Sequence, residues 1–89
     1  MNIYFTDYLQ YRAKIRGFDL KLIEDIVRYS PERYYDTETG RSIVIGKHQD
    51  KLILIPYEKT DFNITPITIH TTNRQQIRFR LQTGRIIHE

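Results

Sequence analysis

The segment Lys51–Glu58, KLILIPYE, constrains the fold more than any other part of the chain. Its four consecutive apolar residues, Leu52 to Ile55, lie between two turn-like segments, HQD and KTD. Successive side chains of a strand point to opposite faces of a sheet, so an unbroken apolar run indicates a strand that is buried on both faces. We therefore expect a central strand with packed layers on either side. A chain of 89 residues has room for one such core, in a single domain spanning residues 1–89.

The N-terminal third is expected to form a strand followed by two helices. In MNIYFT, Met1, Ile3 and Phe5 alternate with residues of the opposite face, which is the period of a half-buried strand. Thr6 or Asp7 can cap the helix that follows, and Gly17 is suited to end it. A second helix then begins after Asp19, a good N-cap. The apolar face of the first helix is assigned to Tyr8, Tyr11 and Ile15.

From Arg33 onward the pattern changes to short β-type runs divided by turns, which predicts an antiparallel meander of three to four strands. Pro66 interrupts the last run, and the positions of the apolar residues shift by one between Ile64 and Ile67. A bulge, or a strand that starts near Pro66, explains both observations. The sheet face away from the two helices needs a cover, and the C-terminal segment is the natural candidate.

The C-terminal segment carries signals for two kinds of structure. Apolar residues alternate with arginines in IRFRL, residues 77–81, as they do in a strand. However, Thr72 and Gln75 have the spacing of a capping box, Asn73 offers a second cap, and Gly84 is placed to end a helix. We favour a short helix. The predicted fold is therefore α+β: an N-terminal strand, two helices, the meander and a short C-terminal helix.

The positive charge of the chain is concentrated at its C-terminal end. Residues 1–69 contain ten Lys or Arg and ten Asp or Glu, whereas residues 70–89 contain four Arg and one Glu. On a helix, Arg74 and Arg78 lie one turn apart and border the apolar residues Ile77 and Leu81. The excess of positive charge in residues 70–89 indicates an anionic partner, either nucleic acid or an acidic protein.

Composition excludes several classes of site. The chain has no cysteine, so it has neither a disulfide nor a thiolate metal site. His48, His70 and His88 are widely spaced and have no clustered carboxylates, so we expect no metal and no cofactor. The chain contains neither a membrane-length apolar run nor a signal-like N-terminus, and we expect a cytoplasmic protein with no membrane association.

The order of these elements, with a basic last segment, resembles the RelE/ParE-type toxin superfamily. The opening segment YFTDYLQYRAKIRGFDLKLIEDIV is most similar to compact BrnT-like domains, with a strand, a helix ending in Arg-Gly and a second helix. The resemblance implies a bacterial toxin that cleaves messenger RNA, often on the ribosome, without a metal. It also implies a cognate antitoxin protein that holds the toxin inactive.

The resemblance also implies which side chains act on RNA. His70 is the candidate acid/base and Arg74 the candidate that neutralises charge in catalysis. The remaining matching positions, expected to bind phosphate, are Arg78, Arg41, Lys47 and Lys51.

Other interpretations of the same residues stay open. The fold can serve as a module that binds RNA or protein without cleaving anything, or as a homodimer that uses exposed strand edges. The arginines can be a solvated helix face, and His70 can simply lie on a polar face. Lys47, His48 and Lys51 can be ordinary residues flanking a turn.

Overall fold

The computed structural model describes all 89 residues and is an α+β domain with three helices and a seven-stranded mixed sheet. The predicted order of N-terminal strand, two helices, strand meander and C-terminal helix is confirmed. The elements are β1 (Asn2–Ile3), α1 (Asp7–Arg16), α2 (Leu20–Tyr29), β2 (Arg33–Asp36), β3 (Ser42–His48), β4 (Lys51–Lys59), β5 (Asn63–Pro66), β6 (His70–Thr72), α3 (Arg74–Gln82) and β7 (Ile86–His88).

The sheet is larger than the predicted meander. Its strand order is β1-β5-β4-β3-β2-β7, and β6 also pairs with β4. Strands β2 to β5 form the antiparallel meander, whereas β1 pairs parallel to β5. Strand β7 was not predicted, and it adds to the other edge by pairing antiparallel to β2. Both ends of the chain therefore extend the sheet. None of the three helices is long and apolar enough to cross a membrane.

The interruption at Pro66 is a bulge between β5 and β6, which is the first of the two explanations left open by the sequence. Tyr57 of β4 pairs with Pro66, and Leu54 of β4 pairs with His70. Two residues of β4 between these pairs are thus opposed by three residues of the neighbouring strand, 67–69. Because residues directly opposite each other share a face, the bulge places His70 on the same face as Leu54.

Strand β4 is covered on both faces, as its apolar run predicted. On one face Ile53 and Ile55 belong to a cluster with Ile23 of α2 and Leu9 of α1. On the other face Leu54 packs in a second cluster, which includes Ile77 of α3. The C-terminal helix is therefore the cover of the second face. Burial on both faces explains why β4 contains no polar residue between Leu52 and Ile55.

Helix α2 packs directly on the backbone of β3 at Gly46. A Cβ atom at this position would lie 2.5 Å from Cγ2 and 2.7 Å from Cγ1 of Ile26. Both atoms are close to the Ile26 backbone, so they cannot move away as the end of a long side chain can. Glycine at this position permits the close contact between helix and sheet.

The helix ends follow local signals, but the face of α1 does not follow the prediction. Thr6 caps α1 by accepting a hydrogen bond from the Leu9 N–H, and Gly17 ends it with φ of 74°. Asn73 caps α3 by accepting from the Gln76 N–H. The assigned apolar face of α1 is wrong, because its side chains are exposed: Tyr8, Tyr11 and Ile15. Leu9 and Ala13 are buried instead.

Candidate functional site

A hollow of about 230 Å³ lies on the α3 side of the sheet, beside the bulge. We call it the His70 hollow. Its lining combines apolar and charged side chains, namely Asp36, Thr39, Arg41, Ile43, Leu54, Pro56, Ile67, Thr68, His70, Arg80 and Arg85. The Thr68 hydroxyl is buried and has no hydrogen-bond partner. Since buried hydroxyl groups are normally paired, it remains an unused hydrogen-bonding group in the wall.

His70 is the one histidine that lines this hollow. Strand β6 begins at His70, and its side chain remains accessible to solvent. Partial burial lowers the pKa of His70 from its usual 6.5, and the positive charges of Arg12, Arg16 and Arg80 lower it further. An imidazole with a lowered pKa is neutral at pH 7 and can accept a proton. The site therefore holds a proton acceptor among positive charges.

Arg12 and Arg16 approach His70 from α1, where they lie one turn apart. The Nε of Arg12 donates a hydrogen bond to the carbonyl oxygen of Ile69 at 3.3 Å. Because this carbonyl belongs to the residue before His70, the bond holds Arg12 beside the histidine. None of the three arginines that lower the pKa of His70 forms an ion pair. Their charges remain available to an anion.

Arg85 is held firmly at the edge of the His70 hollow by Asp36. Its Nε lies 3.0 Å from Oδ1 and its Nη2 lies 3.2 Å from Oδ2 of Asp36, which is 5% exposed. Burial alone would raise the pKa of Asp36, but the hydrogen bonds from Arg85 and from the N–H groups of Thr39 and Glu38 lower it to about 2. The bidentate pair fixes the guanidinium and offsets its charge.

We expect Asp36→Asn to lower the free energy of unfolding at pH 7 by about 2 kcal/mol, the equivalent of a pKa shift from 3.8 to about 2. Because the folded-state pKa lies below the unfolded value, this stabilisation is complete above about pH 4 and disappears as the pH falls to about 2. Urea unfolding at several pH values measures both effects.

Asp50→Asn is the matched control, because Asp50 is exposed in the turn between β3 and β4 and forms no ion pair. It should leave the stability nearly unchanged. Equal stability of the Asp36→Asn variant and the wild type at pH 7 would contradict a stabilising role of the pair with Arg85.

Of the side chains predicted from sequence, only His70 and Arg41 line the same hollow. Arg41 also forms an ion pair with Glu58, with 3.3 Å between Nε and Oε1. Both side chains are largely exposed, and such pairs are weak enough to open for a stronger anion. Lys51 and Arg74 line a different hollow of about 580 Å³, near the turn between β3 and β4.

Arg74 is not brought together with His70. Its Nη1 lies 2.6 Å from Oε2 of Glu32, which also accepts a hydrogen bond from the Tyr34 hydroxyl at 2.7 Å. Burial and the bond to Glu32 raise the pKa of Tyr34 to about 12. Arg78 is exposed on α3 and lines no hollow, and Lys47 lines a separate one beside α2.

Four arginines of the site were assigned no individual role from the sequence, although two of them belong to the basic C-terminal segment: Arg12, Arg16, Arg80 and Arg85. For Arg80 a signal was present. It follows the buried Ile77 by three positions, so on a helix it borders the buried stripe. Arg12 and Arg16 reach His70 only through the packing of α1 against the sheet, which has no local signal.

His48 has a structural role rather than that of a turn residue. It ends β3, is 3% exposed, and accepts a hydrogen bond at Nε2 from the Asp19 N–H at 2.9 Å. Its ring also packs edge-on against Phe18. It therefore joins the start of α2 to the sheet. No group of three or more His, Cys, Asp or Glu side chains is arranged to bind a metal ion.

Comparisons with protein-family models, with curated proteins and with solved structures find no match to this chain. The likeness to the RelE/ParE-type superfamily therefore stays a prediction from the sequence pattern.

Proposed function

We propose that this chain is a metal-independent endoribonuclease of the RelE/ParE toxin type, which cleaves RNA in the His70 hollow. The observation that carries the proposal is the imidazole of His70, whose pKa is lowered by partial burial and by three arginines. A neutral imidazole beside several positive charges is suited to remove a proton close to a bound phosphate.

The chemistry follows from these groups. His70 accepts the proton of a ribose 2′-hydroxyl, and the 2′-oxygen attacks the adjacent phosphorus. The bond from phosphorus to the 5′-oxygen breaks, and the leaving oxygen takes a proton from water. The hydroxide that remains is neutralised by the proton on His70, which returns the imidazole to its neutral form. Arg80 and Arg12 stabilise the negative charge that develops on the phosphate oxygens. The products carry a 2′,3′-cyclic phosphate on one side and a 5′-hydroxyl on the other.

The charges of the surface support both proposed partners. Phosphate oxygens pair well with guanidinium groups, and the three arginines that lower the pKa of His70, namely Arg12, Arg16 and Arg80, have no acidic partner within the protein. A cognate antitoxin would inhibit the enzyme by covering the same cations with carboxylates. RNA and antitoxin then compete for one surface.

End-labelled RNA incubated with the purified protein in EDTA tests the proposal. We expect cleavage without added metal and fragments with cyclic phosphate ends, which acid opens. RNA with 2′-O-methyl groups should stay intact, because it lacks the attacking hydroxyl. Intact unmodified RNA, at protein concentrations that saturate binding, would contradict the proposed activity.

A second candidate function is an RNA-binding module of the same fold without catalysis. The pairing of Arg74 with Glu32 favours it, because one of the two predicted catalytic side chains is occupied within the protein. Such a module would bind RNA and leave it intact. If three arginines contact phosphates, the log of the affinity should fall with the log of the salt concentration with a slope of about −2.

A further inference from the structure

A second hollow adjoins the His70 hollow. It encloses about 680 Å³ between α3, the turn after β2 and the residues before β7, and its lining includes Gln76, Phe79 and Thr83. Arg80 and Arg85 line both hollows, so the two lie next to each other at these side chains. A chain bound at His70 can therefore continue into the second hollow.

Phe79 is the one hydrophobic side chain that lines this second hollow. Its neighbours on α3, Ile77 and Leu81, pack inward in the second core cluster, whereas Phe79 is 63% exposed. The protein exposes another phenylalanine, Phe62, in the turn after β4, but that ring lines no hollow. Phe79 therefore differs from Phe62 by its place beside Arg80 and Arg85.

We propose that Phe79 is a stacking platform for one nucleobase, next to the phosphate that is cleaved at His70. The ligand is single-stranded RNA, since both faces of a base in a duplex are already stacked. Aromatic rings flanked by cations are the common means of binding single strands, with bases on the rings and phosphates on the cations. This inference rests on the proposed function and adds a subsite and a substrate class to it.

The composition of the second hollow favours a nucleotide over a protein segment. The core of a protein interface contains several apolar side chains that exclude water, whereas here one ring is surrounded by polar and charged groups. A single flat ring suffices for a base. Arg80 lies directly after Phe79 in the chain, so base and phosphate can be held by neighbouring side chains.

Binding of an uncleavable probe tests the subsite. The probe is a short fluorescent 2′-O-methyl oligoribonucleotide, titrated with the wild type and with Phe79→Ala, Phe79→Tyr and Phe62→Ala. We expect Phe79→Ala to lower the affinity for the probe by a factor of about 5 to about 100. Phe79→Tyr keeps the ring and should bind like the wild type. Phe62→Ala removes a ring that is exposed elsewhere on the surface and should also bind like the wild type.

A second measurement reports stacking itself. In a probe that contains 2-aminopurine, stacking on the ring of Phe79 quenches the base fluorescence. The quenching should persist in Phe79→Tyr and disappear in Phe79→Leu, which keeps an apolar side chain without a π-face. Thermal unfolding of each variant confirms that it is folded, as expected for a position on the helix surface.

The outcomes separate the subsite from the proposed function. If the wild type cleaves RNA but Phe79→Ala binds the probe as tightly as the wild type, the subsite is refuted and the activity stands. In that case the exposed ring serves a protein partner instead. If the wild type neither binds nor cleaves RNA, the activity and the subsite are both refuted.

Discussion

Replacing His70 with alanine is expected to reduce kcat/KM for RNA cleavage by about 100-fold to 10,000-fold, the usual contribution of a general acid or base. The variant loses the proton acceptor and keeps the arginines, so its affinity for an uncleavable oligonucleotide should change little. His70 is accessible to solvent at the start of an edge strand, and its loss should leave the thermal unfolding temperature nearly unchanged. Single-turnover cleavage and fluorescence titration measure the two effects separately.

The pH dependence of the wild type gives a second, independent readout. A general base acts in its deprotonated form, so the rate should rise with pH through the pKa of His70 and then become constant. Because burial and the surrounding arginines lower that pKa, the midpoint should lie below 6.5. The protein should therefore be fully active at neutral pH.

His88→Ala is the control for the loss of a histidine, because His88 is exposed on β7 and lines no hollow. It should retain full activity. Equal rates for the His70→Ala variant and the wild type would refute the role of His70 as the base. Loss of activity together with loss of the folded state would point to a structural role instead.

Replacing Arg80 with glutamine is expected to lower the cleavage rate by about 100-fold to 1,000-fold, as the loss of a group that stabilises transition-state charge does. Arg80 lines the His70 hollow and has no ion-pair partner, so its full charge faces a bound phosphate. Arg80 also lowers the pKa of His70, so the midpoint of the pH profile should move upward in this variant. One substitution thus changes two measured quantities in predicted directions.

Arg78→Gln is the matched control on the same helix, with the same loss of charge at an exposed position outside every hollow. The resemblance to RelE/ParE-type toxins implies that Arg78 binds phosphate, whereas we propose that role for Arg80, which lines the His70 hollow. We expect a small, salt-dependent loss of affinity in Arg78→Gln and a near-normal rate. Equal loss of rate in both variants would mean that general positive charge, rather than the position of Arg80, matters.

The parts of the fold that were predictable from sequence have short-range signals. The apolar run of β4 fixes its burial on both faces, Pro66 marks the bulge, and Asn73 marks the start of α3. The pairings of β1 and β7 were not predictable. These strands have two and three residues, and their partners lie far along the chain, so no local pattern identifies them.

The site was predictable only in part for the same reason. His70 and Arg41 were identified, and both line the hollow. The sequence has no acidic residue near Arg74, but the fold brings Glu32 to it from 42 positions away. Exposure of the tyrosines on α1 was also unpredictable, because burial of Leu9 depends on which face of α1 meets the sheet.

The bulge at residues 67–69 determines which side chain of this sheet edge faces the His70 hollow. If the full sequence continued in the register of β5 without the bulge, Leu54 would pair with Ile69, and His70 would pair with Ile53. The imidazole would then point into the core beneath α1 and α2, and an isoleucine would occupy its place in the hollow. A one-residue offset in strand pairing therefore decides whether an imidazole or an aliphatic side chain faces the hollow, without altering a single charged side chain.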